Sequence, residues 1–348
     1  MARKIVQRTW NITRNHSNFE YYHQFILAIS SAKYYNLDIF EKFANDTTFD
    51  HVDFLQVAYD MRKELHIPPS PEYTNVITDM GVCHSTTELA YVQKPYRGNM
   101  SHEPVQVPDN TVYTAIDIFR IIITPHFSDT ENVTIYIHNK KEIISGSDSI
   151  RESLVESTDI FHTDIEMNEI LSTDASRGLS VKRRKCLYFD ERALDFFPIY
   201  TINLCKMNCR IRAALFSCGC IPFFYNLNAT EPICNAAGLY CLSKSDWYSR
   251  GCKCYPLCDS LKFVRLSSEK VYYSTAYSRL VEVNVIFPKV RIKRQIIFSI
   301  YGLIVSFGGG AAFFLGCSFL SSVEIVFYIC EWFWNLVRKC THGRCSER

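Results

Sequence analysis

Ten of the chain's 15 cysteines crowd into residues 186–258: Cys186, Cys205, Cys209, Cys218, Cys220, Cys234, Cys241, Cys252, Cys254 and Cys258. Thiols at this density persist as disulfides in an oxidising compartment or serve as metal ligands in a reducing one. Six N-x-[ST] sequons, at Asn11, Asn15, Asn45, Asn99, Asn132 and Asn228, all precede the one long apolar run of the chain. Glycan acceptors and clustered cysteines on one side favour an extracellular or lumenal face. Zinc is the competing reading, although the paired C-x-C spacing departs from the usual C-x₂-C arrangement.

The cysteine spacing carries geometry. Residues 191–217 read as largely helical, with Pro198 kinking or starting the helix. On that helix Cys205 and Cys209 are one turn apart and share a face. In "CKCYPLC", Cys252 and Cys254 share one face of an extended segment. The chain reverses between the two pairs, so the simplest pairing is nested: Cys186–Cys258, Cys205–Cys254 and Cys209–Cys252, with Cys218–Cys241 and Cys220–Cys234 inside the reversal. Spacing alone does not fix connectivity, and the nested order stands as an expectation. An eleventh cysteine, Cys83, is left unpaired.

Residues 296–323 carry no charge, a run longer than the ~20 residues that span a bilayer. Tyr328, Trp332, Trp334, Arg338 and Lys339 follow, as at a membrane interface. Basic residues do not orient the span, since Lys289, Arg291, Lys293 and Arg294 balance Arg338, Lys339, Arg344 and Arg348. Cysteines and sequons place residues 1–295 outside and the tail inside. Residues 1–22 contain no apolar core of a signal peptide, so this orientation leads to the expectation of a targeting segment upstream. A plain anchor has no use for "GGGAAFFLGCSFLSSVE", which holds the glycine triplet 308–310, a Gly-Cys-Ser step and Glu324. Small residues allow close helix packing, and glycines allow a helix to break where its carbonyls face a wet cavity. A carboxylate within a span faces a cavity or snorkels.

The stretch "CLYFDERALDFFPIYTINLCKMNCRIRAALFSCGCIPFFY", with "CNAAGLYCL" and "CKCYPLC", closely resembles the cysteine-rich thumb of the degenerin/epithelial sodium channel family, most of all its insect pickpocket branch. "GVCHSTTE" at 81–88 and "VTIYIHNKKE" at 133–142 are similar to further family segments, "HST" being a departure. The resemblance covers most of residues 75–335. It implies five nested thumb disulfides in the order above. It also implies a first membrane helix and a following strand that this sequence does not show; in relatives the cysteine of that strand pairs with the one corresponding to Cys83.

The family filter, G-x-S, falls on Gly316, Cys317 and Ser318, with Glu324 as the downstream acidic residue. By the same resemblance Val305 occupies the degenerin site, where relatives usually hold a small residue and a bulky one tends to hold the pore open. Gly308 and Gly309 belong to the pore-lining segment. Ala312 stands at the position associated with amiloride block, where Gly or Ser is common, which puts amiloride sensitivity in question. Ser306 replaces an Asp or Asn of many relatives.

The expected fold is α+β: a β-rich extracellular domain with a disulfide-stapled helical thumb, then one C-terminal transmembrane helix. Its parts are a finger-like region at 1–74, a palm and β-ball at 75–185, the thumb at 186–258 and palm strands at 259–295. A pore-lining helix at 296–330 and a cytoplasmic tail at 331–348 complete it. The expected function is a plasma-membrane subunit of a homo- or heterotrimeric, voltage-insensitive sodium channel opened by an extracellular stimulus or ligand. It works in lipid, with permeant sodium and no cofactor or metal. The alternatives are a non-conducting accessory or truncated member and a single-pass receptor. A net charge of +2 offers no bulk attraction to nucleic acid. An enzyme is disfavoured: His84, His102, His126, His138 and His162 lack metal spacing, and no nucleophile elbow, H-E-x-x-H or phosphate loop occurs. The acidic stretch 147–170 reads as a solvated face, and Cys330, Cys340 and Cys345 as cytosolic thiols.

Overall fold

A computed structural model describes residues 1–62, 74–85, 118–123, 133–139, 141–146, 150–154, 159–191, 194–225, 231–272, 279–286, 292–297, 299–316 and 318–341. The described chain divides into two compact units, one of Met1–Ser172 with Arg177–Arg294 and one of Thr173–Ser176 with Gln295–Arg348.

The first unit opens with helices α1 (Ala2–Trp10), α2 (Phe19–Ser31) and α3 (Phe54–Asp60), with 3₁₀ turns at Leu37–Phe43 and Thr47–Phe49. Helix α1 buries Ala2, Ile5 and Val6 and ends at Asn11, whose φ of 52° is the left-handed conformation that asparagine tolerates. The Asp53 carboxylate accepts the Gln56 N–H at 3.0 Å and starts α3. Phe25 stacks on Phe49 at 3.8 Å between ring centroids, and Phe40, Phe43 and Phe54 close round them. This aromatic nucleus is continuous with the core under the cysteine-rich segment.

Strands β1 (Thr74–Thr78) and β2 (Gly81–Ser85) form a hairpin, as do β4 (Val133–Ile137) and β5 (Ile150–Leu154). The main sheet has the order β3 (Ile118–Ile123), β8 (Arg279–Ile286), β6 (Asp159–Ser172), β7 (Ser260–Tyr272), with β9 (Ile292–Arg294) parallel to the end of β6. The acidic stretch is thereby corrected in part. Its second half is the central strand, with Thr163, Ile165 and Met167 buried. Alternation lets the same strand keep carboxylates on its other face, where Asp164 accepts from Ser267 Oγ and Asn284 Nδ2.

After short helices α4 (Asp174–Arg177) and α5 (Val181–Arg184) comes α6 (Ile202–Cys218), then α7 (Ala236–Ser243). The helix expected over 191–217 starts only at Ile202. Pro198 cannot donate a backbone hydrogen bond, and Thr201 Oγ1 caps α6 by accepting the Leu204 N–H at 3.2 Å. Gly219, with φ of 69°, ends the helix and permits the reversal. The structure pairs Cys186–Cys258, Cys205–Cys254, Cys209–Cys252, Cys218–Cys241 and Cys220–Cys234, with Cα–Cα distances from 4.9 to 6.1 Å. Residues 252–254 make a tight turn and not the expected extended segment: the Cys254 N–H donates to the Cys252 carbonyl at 3.1 Å.

In the second unit, α8 (Ile300–Leu315) and α9 (Phe319–Thr341) replace the single helix expected over 296–330. Among the described residues no helix is long and apolar enough to cross a membrane. The 16 residues of α8 rise only ~24 Å, while α9 carries Glu324, Glu331, Arg338 and Lys339.

Candidate ion-conduction site

Ser299 Oγ accepts the Gly302 N–H at 3.0 Å and starts α8. The triplet Gly308, Gly309 and Gly310 stays helical, and a Cβ added at any of the three would meet nothing within 4 Å. The break comes at Gly316, in the left-handed conformation with φ 62° and ψ 19°. Helix α9 then restarts on Ser318, whose Oγ accepts the Ser321 N–H at 3.2 Å. Of the three expected filter residues, Gly316 ends one helix and Ser318 caps the next, while Cys317 lies outside the described residues.

Gly308 and Gly309 lie three and four residues after Val305, and four and three before Ala312, so the four share one stripe of α8. Val305 is 58% exposed, and Phe313 and Phe314 are more so. Exposed apolar surface of this extent marks a face made for lipid or for other chains. Glu324 stands exposed on α9, apart from that stripe. Cys330 is a free, exposed thiol; Cys345 and the side chain of Cys340 lie outside the described residues. Asn11, Asn15 and Asn45 are exposed, and Asn99, Asn132 and Asn228 are outside the described residues.

The first unit holds a second polar constellation. Asp79, in the β1–β2 turn, is 3% exposed and accepts from the Gly146 N–H at 3.2 Å, Tyr248 Oη at 2.8 Å and Tyr225 Oη at 3.4 Å. Arg210 Nη1 donates to Ser145 Oγ at 3.2 Å, and its guanidinium lies 3.7 Å over the Tyr248 ring. Burial pushes the Asp79 carboxyl up despite these partners, and it raises the Tyr225 and Tyr248 hydroxyls as well. Glu142 accepts from Thr201 Oγ1 at 2.5 Å and from the Ile143 N–H at 3.1 Å, while burial lifts its carboxyl to about 7. Free Cys83 sits on β2 opposite Val76, 3.6 Å from Thr78 Oγ1, and burial pushes its thiol up.

No motif marks Asp79, Glu142, Arg210, Tyr225 or Tyr248 in the sequence. One signal was present: Arg210 falls three residues after Met207 and four before Ala214, on the buried face of α6. Among the described residues no cluster of histidine, cysteine and carboxylate side chains could hold a metal ion.

The family described as amiloride-sensitive sodium channel matches residues 4–328. The chain is 26% identical to Pickpocket protein 11 of Drosophila melanogaster, over 44% of this chain and 34% of that protein. It is 26% identical to Sodium channel protein Nach of the same species, over 53% of this chain and 37% of the relative. With Nach of Drosophila virilis the identity is 24%, over 56% and 57%. The chain therefore spans about a third of the length of the first two relatives and just over half of the third. With its helix break, its ladder of disulfides and a match that runs nearly from end to end, the chain belongs to the amiloride-sensitive sodium channel family, as a pickpocket-like member.

Proposed function

We propose that the chain is a subunit of a trimeric, sodium-selective, voltage-insensitive channel of the plasma membrane, opened by a stimulus at its extracellular side. The observation that carries this reading is the left-handed break at Gly316 inside an uncharged stretch. The last carbonyls of α8 have no partner within their own helix. Three copies facing one axis would point a ring of such oxygens, with Ser318 hydroxyls beside them, at a dehydrating sodium ion. Unsatisfied backbone is tolerated at membrane depth only in protein or in a wet cavity. The small residues of the α8 stripe suit close approach of neighbouring copies, and its exposed aromatic residues suit lipid. Residues 1–295 lie outside on this reading, and the tail from 331 lies in the cytoplasm.

The test is sodium current in cells that deliver the chain to the surface together with related subunits. Gly316→Val or Ser318→Phe is expected to abolish the current while surface delivery persists. Unchanged current in both variants would refute the filter assignment. Silence of the wild-type chain with every related subunit, despite surface delivery, would make it an accessory member.

A further inference from the structure

Three observations meet inside the first unit. A cavity of ≈ 10 Å³ lies between the β1–β2 turn, residues 143–145 and α6, with Asp79, Ser145, Asn203, Met207, Arg210 and Tyr225 on its wall. That is about the room one water molecule needs. Asn203 is 5% exposed. Its Nδ2 donates to the Ile143 carbonyl at 3.1 Å, but its Oδ1 meets no donor among the described residues. Turning the amide over would spoil the first bond, so the oxygen stays without a protein donor, on a residue that borders the cavity. Finally, Arg210 Nη1 and Asp79 Oδ2 stand 3.6 Å apart, an ion pair too long for a direct hydrogen bond, and both residues border the same cavity.

We propose that this cavity is a binding site for a single water molecule, which donates to Asn203 Oδ1 and the Asp79 carboxylate and accepts from the Arg210 guanidinium. The wall chemistry selects this ligand. A cation would face the fixed charge of Arg210 on the same wall. An anion would face the Asn203 carbonyl oxygen and the Asp79 carboxylate. An apolar molecule of this size would leave Asn203 Oδ1 unmet, a condition that buried acceptors rarely endure. Water alone both donates and accepts within this volume. The site then joins three segments distant in sequence: the hairpin turn at 79, the loop at 143–145 and the disulfide-stapled helix α6.

The experiment is a crystal structure of the full chain grown in rubidium chloride, at a resolution that shows ordered water, with data collected at the rubidium absorption edge. The expected result is a peak without anomalous signal roughly 2.7–3.2 Å from Asn203 Oδ1. An anomalous peak in the cavity would overturn the proposal in favour of a cation. A map that shows other internal waters but no peak here, or an Asn203 oxygen rotated onto Arg210, would overturn it too.

Discussion

Gly316→Ala tests whether the backbone at the α8–α9 junction is held broken by glycine. The residue sits at φ 62°, and a Cβ there would touch nothing within 4 Å, so the cost of the methyl group is conformational and not steric. An alanine in the left-handed region costs roughly 1–2 kcal/mol. Alanine also favours a helical residue by about 1 kcal/mol over glycine. Together these tilt the equilibrium toward one continuous helix by at least ~2 kcal/mol, a factor of about 30. Spin labels at the exposed positions Phe307 and Phe327 read the outcome, because a continuous helix places them ~30 Å apart along its axis. In Gly316→Ala the population at that distance is expected to grow about thirtyfold relative to the broken form, and sodium current to fall with it. Gly308→Ala and Gly309→Ala are the controls. Their sites are already helical and open, so each should stabilise α8 by about 1 kcal/mol without moving the labels. An unchanged distance distribution in Gly316→Ala, or the same shift in the two controls, would refute the reasoning.

Two further outcomes follow from the first unit. At Gly238 a Cβ would lie 2.6 Å from Cys220 Sγ and 3.0 Å from Cys234 Cβ, so Gly238→Ala should cost roughly 1–3 kcal/mol in thermal unfolding. That cost should shrink in a background where Cys220 and Cys234 are both alanine, which removes the two sulfur contacts and leaves the Cβ of residue 234, and an undiminished cost there would show that the disulfide is not the obstacle. Glu142 has a folded-state carboxyl raised from 4.5 to about 7, so between those values the native chain holds a proton that the unfolded chain has lost. Stability should therefore fall by about 3 kcal/mol as pH rises through this window and level off above it. Glu142→Gln should remove that slope, and an unchanged slope in urea titrations at several pH values would assign it to another group.

Much of the stapled segment was legible because its constraints are local. Cys205 and Cys209 share a face of any helix through them, and the reversal of the chain before Cys252 and Cys254 makes nested partners the simplest arrangement. Expectations failed where a single residue outweighed the pattern around it. Thr201 delays the start of α6, and Gly316 divides a run whose hydropathy reads as one rod. Hydropathy reports affinity for lipid or core; it does not report which glycine adopts a positive φ, and the triplet at 308–310 was as eligible as Gly316 by composition.

What the sequence determined by itself was therefore an oxidised, cross-linked domain ahead of an uncharged stretch rich in small residues, since cysteine spacing and charge depletion act over short ranges. Tertiary structure alone decided that Asp79, Ser145, Asn203, Arg210, Tyr225 and Tyr248 would meet. These residues are separated by up to 169 positions, as between Asp79 and Tyr248. No periodicity links side chains so far apart. Only burial brings them together, by requiring every polar group taken from water to find a partner.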